Sequence, residues 1–191
     1  MDSGIRWSHI SKEPKEAAAQ THALKLPKTL AGARVYYTDG SQGRVNGVIQ
    51  GSAAYCQLSS SATVATVGSW NLGSRVEVAD AEVFAVAKVL EAVTYDASTE
   101  HTIVIFIDSQ AAIQRIQSPR GNCWAQRIYA AAHALRGRVA VKIQWCPGHC
   151  GIYGNEVVDG LAKRALEKAP CSEAYTSIGH NKRLARARAL D

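Results

Sequence analysis

The sequence predicts an α/β domain with a five-stranded mixed sheet, in which three antiparallel strands precede two parallel ones and helices flank the sheet. Two observations favour this fold class. Three segments rich in β-branched and aromatic residues follow one another over residues 34–73, separated by Gly, Ser and Asn, which is typical of an antiparallel meander. Two later strand-like segments alternate with helical ones, and this alternation favours parallel strands joined by right-handed crossovers.

The predicted elements follow the order βββαβααβα. The helix after the meander has a Val-rich apolar face and Asp80 as its expected N-cap. The next strand is an uninterrupted apolar run, which indicates a central strand covered on both faces. The strands are expected at residues 34–41, 47–60, 62–73, 102–108 and 139–145, and the helices at 80–93, 109–117, 123–136 and 155–169.

Length and composition suit one domain with flanking segments. The chain has 191 residues, of which 47% are hydrophobic and 20% charged, close to the globular average. We assign residues 1–32 to a leader or linker, 33–170 to the folded domain and 171–191 to a basic C-terminal tail. Pro14 and Pro27 are expected to interrupt short helical tracts in the leader.

Charge, cysteine content and apolar run length indicate the kind of partner and compartment that suit this protein. The formal net charge is +6, and a basic balance favours polyanionic partners. Five unevenly spaced cysteines without a secretory signal indicate a reduced, intracellular protein. The longest apolar run, residues 103–107, is far shorter than the ~20 residues that span a bilayer, so we expect no membrane insertion.

Four acidic residues occupy positions where burial would disfavour them. Asp39 ends the alternating run RVYYTD and Asp108 ends the apolar run TIVIFID, so each is expected at the carboxyl end of a core strand. Glu82 falls inside the apolar arc of its helix, and Asp159 borders the apolar stripe of the last helix. Each one alone has an ordinary explanation, such as capping a turn or favouring a helix N-terminus. Together they come from two strands and two helices that can meet at one sheet edge. Their mutual repulsion there indicates a hard divalent cation with oxygen ligands.

A Gly-rich loop between the last strand and the last helix carries further candidates. The stretch WCPGHCGIYGNEVVDGLAK, residues 145–163, would hold His149 near the acids, and Asn155 is the expected cap of the helix that carries Asp159. Cys146, His149 and Cys150 also suggest zinc. A structural zinc site usually has four protein ligands, however, and a fourth is missing.

At these residues the chain resembles the ribonuclease H family, type 1. The resemblance covers residues 34–169 and rests on four motifs in the family's order: YTDGS at 37–41, AE at 81–82, DSQ at 108–110 and PGHxGIxGNExxD at 147–159. It implies the ribonuclease H-like fold, whose five-stranded mixed sheet agrees with the element order predicted above.

The resemblance also implies an activity. The chain would be a metal-dependent endonuclease that hydrolyses the RNA strand of an RNA/DNA hybrid and leaves a 5′-phosphate, with two Mg²⁺ ions that Mn²⁺ can replace. Four carboxylates as metal ligands and one loop histidine form the implied catalytic set: Asp39, Glu82, Asp108, Asp159 and His149. Asp39 would bridge both ions, Asp159 would lie on the nucleophile side, and Glu82 and Asp108 on the leaving-group side. Ser41 and Gln110 match positions that contact the nucleic acid in relatives.

The segments outside the motifs indicate which subfamily the chain resembles. The turn at residues 118–122 is too short for the extra basic helix of cellular bacterial members, so the chain resembles ribonuclease H domains attached to reverse transcriptases. Its leader and tail are similar to flanking parts of a non-LTR retrotransposon polyprotein. The expected partners are therefore the hybrid and an attached reverse transcriptase module, and we expect a monomer.

Two other functions remain open. One is a catalytically silent domain that binds or tethers a hybrid, against which the intact set of four acids argues. The other is a different polynucleotidyl transferase on the same fold, against which the loop motif argues.

Overall fold

The computed structural model describes residues 4–7, 10–95, 102–172 and 176–188. Parts of the predicted leader and tail, residues 1–3, 8–9, 173–175 and 189–191, lie outside the described residues. The described elements, in chain order, are β1 (Ile5–Trp7), α1 (Lys15–Gly32), β2 (Arg34–Val45), β3 (Val48–Leu58), β4 (Val64–Gly73), α2 (Val78–Tyr95), β5 (Thr102–Ile107), α3 (Gln110–Gln117), α4 (Cys123–Ala134), β6 (Ala140–Trp145), α5 (Tyr153–Ala165) and α6 (Ile178–Arg188).

The sheet has the order β1-β6-β5-β2-β3-β4. Strands β2, β3 and β4 are antiparallel, while β2, β5 and β6 run parallel, which confirms the predicted mixed α/β fold. The sheet has six strands rather than five, because β1 pairs in parallel with residues 141–143 of β6. A three-residue strand is too short to show a period of two, so the sequence of the leader gave no sign of it.

Helices cover the sheet on both faces. One core cluster joins α2, α3 and α4 to the sheet, and a second joins α1 and α5 to its other face. Because side chains alternate along a strand, Tyr36 lies in the first cluster and Tyr37 in the second. Strand β5 is buried on both faces, as predicted, with Ile105 in the first cluster and Phe106 in the second.

Helix α1 runs unbroken through Pro27, so the prediction that this proline interrupts the helix is wrong. A proline inside a helix costs roughly 3 kcal/mol. Contacts with the sheet offset this cost: Leu30 is buried, and the His22 ring lies 4.5 Å from the Phe106 ring. The His22 Nε2 atom also lies 2.7 Å from the Tyr37 hydroxyl. Burial lowers the pKa of His22 to about 4, so this histidine packs as a neutral ring.

Helix α2 begins at Val78, two residues before the predicted N-cap. Asp80 therefore lies in the first turn and is buried. Its carboxylate lies 2.8 Å from Arg115 Nη1 and accepts a hydrogen bond of 2.8 Å from Asn122 Nδ2. The acid thus ties α2 to α3 and to the start of α4, a tertiary role that local capping rules do not foresee.

All five cysteines are free thiols, as expected for a reduced protein. Among the described helices, none combines the length and apolarity needed to cross a lipid bilayer.

Candidate active site

Three carboxylates meet where the parallel strands end. Strand β2 pairs with β5 only as far as Thr38, and Asp39 is the next residue of β2. Asp108 directly follows β5, and Glu82 comes from the second turn of α2. Each of the three acids offers an oxygen within 4.8 Å of those of the other two. Asp39 does not end its strand, as the sequence suggested, because β2 continues into the hairpin with β3.

Burial makes this cluster electrostatically costly. Asp39 is 7% exposed and Glu82 is 6% exposed. Burial, with further contributions from Asp108 and Asp159, raises the pKa of Asp39 to about 7, and the Gly40 N–H bond to Asp39 Oδ1 opposes this shift only in part. Burial and the neighbouring Asp39 and Asp108 raise the pKa of Glu82 to about 8, although a Ser109 hydrogen bond opposes the shift.

One oxygen in the cluster has no protein partner. Glu82 Oε2 is buried and makes no hydrogen bond within the part of the chain that the structure describes. A buried polar atom without a partner is uncommon and requires an explanation, for example a ligand at that position. Carboxylate oxygens are the donors that Mg²⁺ and Mn²⁺ prefer, so the residues present fit a hard divalent cation.

Contacts from strand β6, from the loop that follows it and from helix α5 fix the position of Asp108. Its Oδ2 accepts a 3.3 Å hydrogen bond from Asn155 Nδ2, and its backbone oxygen accepts one of 3.0 Å from Trp145 Nε1. The thiol of Cys146 donates to Asn155 Oδ1 at 3.7 Å. Gly148 packs so closely on Asp108 Oδ2 that a Cβ at this position would overlap it.

Asn155 is not a helix cap, in contrast to the prediction. Helix α5 begins at Tyr153 and has Ile152 at its N-cap position, without a side-chain cap bond. Asn155 therefore lies in the first turn, 1% exposed, and orients a candidate catalytic carboxylate instead. The sequence marked Asn155 as important through its motif but assigned it the wrong contact, because a helix start can shift by two residues without changing the pattern.

Asp159 lies apart from the buried cluster. Its Oδ2 forms an ion pair of 2.7 Å with Lys163, one turn further along α5. Together with His149 and Glu156 it forms a second group whose ligand atoms lie within 4.8 Å of one another. The structure therefore brings three of the four predicted acids together and places the fourth with His149. The charge of Asp159 still reaches Asp39, because it contributes to the raised pKa of Asp39.

The two predicted substrate residues lie next to the buried acids. Ser41 is two positions beyond Asp39 in β2, on the same face of the strand, and is half-buried. Gln110 is the first residue of α3 and is exposed. Between Asp108 and Gln110, Ser109 caps α3 by accepting a hydrogen bond from the Ala112 N–H. The sequence analysis did not single out Ser109, although the DSQ motif contains it.

The zinc alternative finds no support in the loop. Cys146, His149 and Cys150 do not gather into a ligand group. Burial and nearby Asp108 raise the pKa of the Cys146 thiol well above its ordinary value, whereas zinc binds the thiolate.

Comparison with known proteins supports the fold and shows the family. The family model described as RNase H matches residues 32–167, well over half of the chain. RNase H1 from the halophilic archaeon Halobacterium salinarum NRC-1 is 23% identical, with 72% of this chain and 100% of that chain covered and a TM-score of 0.52.

Two solved complexes share the fold at lower identity. LC11-RNase H1 in complex with an RNA/DNA hybrid is 17% identical, with 70% of this chain and 96% of that chain covered and a TM-score of 0.53. The foamy viral protease-reverse transcriptase in complex with an RNA/DNA hybrid is 18% identical, with 83% of this chain but 22% of that chain covered and a TM-score of 0.61. The family-model match shows that this chain belongs to the RNase H family.

Proposed function

We propose that this protein hydrolyses the RNA strand of RNA/DNA hybrids with the help of divalent cations. The observation that carries the proposal is the buried cluster of Asp39, Glu82 and Asp108, in which the pKa values of two acids are raised and one oxygen has no partner. Three acids in such surroundings repel one another, and a cation relieves the repulsion. Two relatives of the same fold were solved with RNA/DNA hybrids, which supports the choice of substrate.

The residues suited to hold the cation are the three buried acids, with Mg²⁺ as the expected ion and Mn²⁺ as a substitute. Asp159 is the proposed additional ligand for a second ion, and this role requires its carboxylate to exchange the Lys163 ammonium for the metal. Bound divalent cations lower the pKa of an attacking water and stabilise the charge on the leaving oxygen.

The protein's own residues prepare the site for this chemistry. Asn155 and Trp145 fix the side chain and backbone of Asp108, and the Gly40 N–H occupies one oxygen of Asp39. Fixed carboxylates do not have to reorganise during the reaction, which lowers its barrier. His149 lies exposed beside Asp159 and is the proposed proton donor to the leaving 3′-oxygen, so that the products carry a 3′-hydroxyl and a 5′-phosphate.

Ser41 and Gln110 are the proposed contacts to the hybrid. Both can donate to or accept from a 2′-hydroxyl across a shallow minor groove, and a DNA strand lacks this group. The formal net charge of +6 favours association with the phosphate backbone. We further propose that residues 33–170 form the hydrolytic domain, and that the full chain acts as a monomer beside a reverse transcriptase module, as part of a retrotransposon polyprotein.

A cleavage assay tests the proposal. RNA-labelled hybrid, single-stranded RNA and duplex DNA of one sequence are incubated with the full chain in Mg²⁺, Mn²⁺ or EDTA, alongside an Asp39→Asn variant. We expect cleavage of the hybrid RNA alone, in Mg²⁺ or Mn²⁺, with 5′-phosphate ends. Binding without cleavage in every metal would favour the silent tethering domain, and cleavage of duplex DNA would favour another nuclease of this fold.

A further inference from the structure

The C-terminal helix α6 is anchored beside the start of α2. Ser177, which directly precedes α6, is fully buried. Its N–H donates to the Arg75 carbonyl at 2.8 Å, and its hydroxyl accepts the Glu77 N–H at 2.9 Å. The Ser177 carbonyl then accepts the Asn181 N–H at 3.1 Å, which begins the helix. The first turn of α6 is therefore fixed to the segment that leads into α2.

A second contact fixes α6 from the side. Ile178 Cδ1 packs directly on Gly121, in the turn between α3 and α4, and a Cβ at Gly121 would lie 2.5 Å from it. The same turn carries the exposed Arg120. Helix α6 and this turn therefore form one continuous surface.

The acids beneath this surface are paired with a single guanidinium. Arg115 lies 2.9 Å from Glu77 Oε2 and 2.8 Å from Asp80 Oδ1, and Asp80 Oδ1 also accepts a hydrogen bond from Asn122. Lys182 and Arg120 line the same cleft, so the basic residues outnumber the two acids there.

The exposed charges described on α6 are all basic. The helix sequence IGHNKRLARAR contains no acidic residue, and Lys182, Arg186 and Arg188 are exposed. Lys182 and Arg186 are four residues apart, so they lie on one face of the helix. We name Lys182 and Arg186 the basic pair. Two cations on one face suit neighbouring phosphates of a nucleic-acid strand, which carry one charge per 3.4 Å of helix axis.

The basic surface starts near the candidate active site. Glu77, which α6 contacts through Ser177, precedes Glu82 by five residues, or about 7.5 Å of rise along α2. Helix α6 has 11 residues and is therefore about 16 Å long. A duplex that reaches Glu82 can meet α6 within a few nucleotides.

We propose that α6 is a phosphate-binding arm, which extends the hybrid-binding surface from the buried acids along the basic pair and Arg120. The proposal rests on the proposed function, since it assumes that a nucleic-acid duplex occupies the site. Helix α6 would contact the phosphate backbone and not the bases, so it would contribute affinity without sequence preference.

A pair of matched variants of the full chain tests this arm. Lys182→Gln/Arg186→Gln removes the basic pair, while Lys25→Gln/Lys28→Gln removes two exposed charges from α1. Lys25 and Lys28 line a cleft with Thr102, at the amino end of β5, and neither contacts α6 or the turn that carries Arg120 in the part of the chain that the structure describes. Hybrid binding is measured in EDTA by fluorescence anisotropy between 50 and 200 mM salt, and cleavage is measured in Mg²⁺. Thermal melts verify that both variants fold.

We expect the basic-pair variant to bind the hybrid about tenfold more weakly at low salt and to lose about 1.8 from the slope of log K against log salt, since each phosphate contact contributes about 0.9. Its KM should rise while its kcat is retained. The α1 variant should remain within about twofold of the wild type. Equal losses in both variants, or wild-type binding by the basic-pair variant, would overturn the phosphate-binding role of α6.

If the proposed nuclease function is wrong, the same experiment gives a different result. A wild-type chain that cleaves nothing, but whose salt-dependent hybrid binding requires the basic pair, would overturn the nuclease proposal and support the arm.

Discussion

The buried acids and the exposed group around His149 lie close together but differ in how their charges are balanced. Asp39 and Glu82 are almost fully buried, and this burial, with the charges of the neighbouring acids, raises the pKa of both. Asp159, on the other hand, is paired with Lys163, whose side chain is 60% exposed. Burial disfavours the charged form of the first group, whereas Asp159 in the second group has an ion-pair partner.

This difference indicates a division of labour. Buried acids that repel one another suit the binding of a metal ion, since the repulsion that the cation relieves contributes to its free energy of binding. Exposed groups such as His149 suit steps that involve exchange with water, such as proton transfer or release of product. Each of the following variants challenges this division.

The largest difference is expected between two Asp→Asn variants. Asp39→Asn should lower kcat for hybrid cleavage by more than about 10³-fold, because the buried cluster loses a charge that no neighbour can replace. Asp159→Asn should lower it by less, because the three buried acids remain. Single-turnover cleavage of labelled hybrid in Mg²⁺ provides the measurement. Equal losses in the two variants would show that the half-buried carboxylate of Asp159 matters as much as the buried ones.

His149→Ala should lower kcat by about 10²-fold, which is the scale of one general acid. The rate should recover in part when imidazole is added, since its protonated form is a small acid that can reach an exposed position. Asp39→Asn serves as the control that imidazole does not rescue. A His149→Ala variant as inactive as Asp39→Asn would contradict the division.

Mg²⁺ should stabilise the fold through the buried cluster. A site with a dissociation constant of about 1 mM in tenfold excess Mg²⁺ gains about 1.4 kcal/mol, because binding only to the folded state adds RT ln(1 + [L]/Kd). For a domain of this size the melting temperature rises by about 3 to 5 °C. The shift should shrink in Asp39→Asn and persist in Asp159→Asn. Thermal melts in EDTA and in Mg²⁺ at matched ionic strength show it, and an unchanged shift in Asp39→Asn would exclude this cation site.

The last comparison concerns pH in the metal-free protein. The pKa of Asp39 rises from its ordinary 3.8 to about 7 on folding. Between these values the folded chain keeps a proton that the unfolded chain has released, so the stability contributed by this group falls as pH rises from about 4 to about 7. Asp39→Asn removes that loss. In EDTA its melting temperature, relative to wild type, should therefore increase from pH 5 to pH 8, and a difference independent of pH would contradict the raised pKa.

Much of the fold was predictable because its signals are local. Strand β5 is an uninterrupted apolar run, and the meander of β2, β3 and β4 is separated by turn residues, so both could be recognised from periodicity. Asp39, Glu82 and Asp108 could likewise be singled out, since a carboxylate that ends an apolar run or lies within an apolar helix face breaks the local pattern, although Asp39 does not end its strand.

The remaining features depend on tertiary contacts. Strand β1 depends on backbone pairing with β6, and the helix through Pro27 depends on packing against Tyr37 and Phe106. The ion pair of Asp80 with Arg115 joins two helices, and no spacing within either helix predicts it. Asp159 is separated from the other acids because its side chain forms an ion pair with Lys163 instead of joining the cluster, and a sequence motif does not show this contact.

The short strand β1 affects how shortened fragments of this protein are expected to behave. Ile5 is 6% exposed and pairs with Val141 of β6. A fragment that begins at residue 33 would retain every candidate catalytic residue but leave the outer side of β6 as an edge strand with unpaired N–H and C=O groups. Such edges recruit strands from other chains. Trimming the chain to the part that matches its family would therefore favour self-association, and the segment that contributes nothing to the chemistry is the one that protects the sheet.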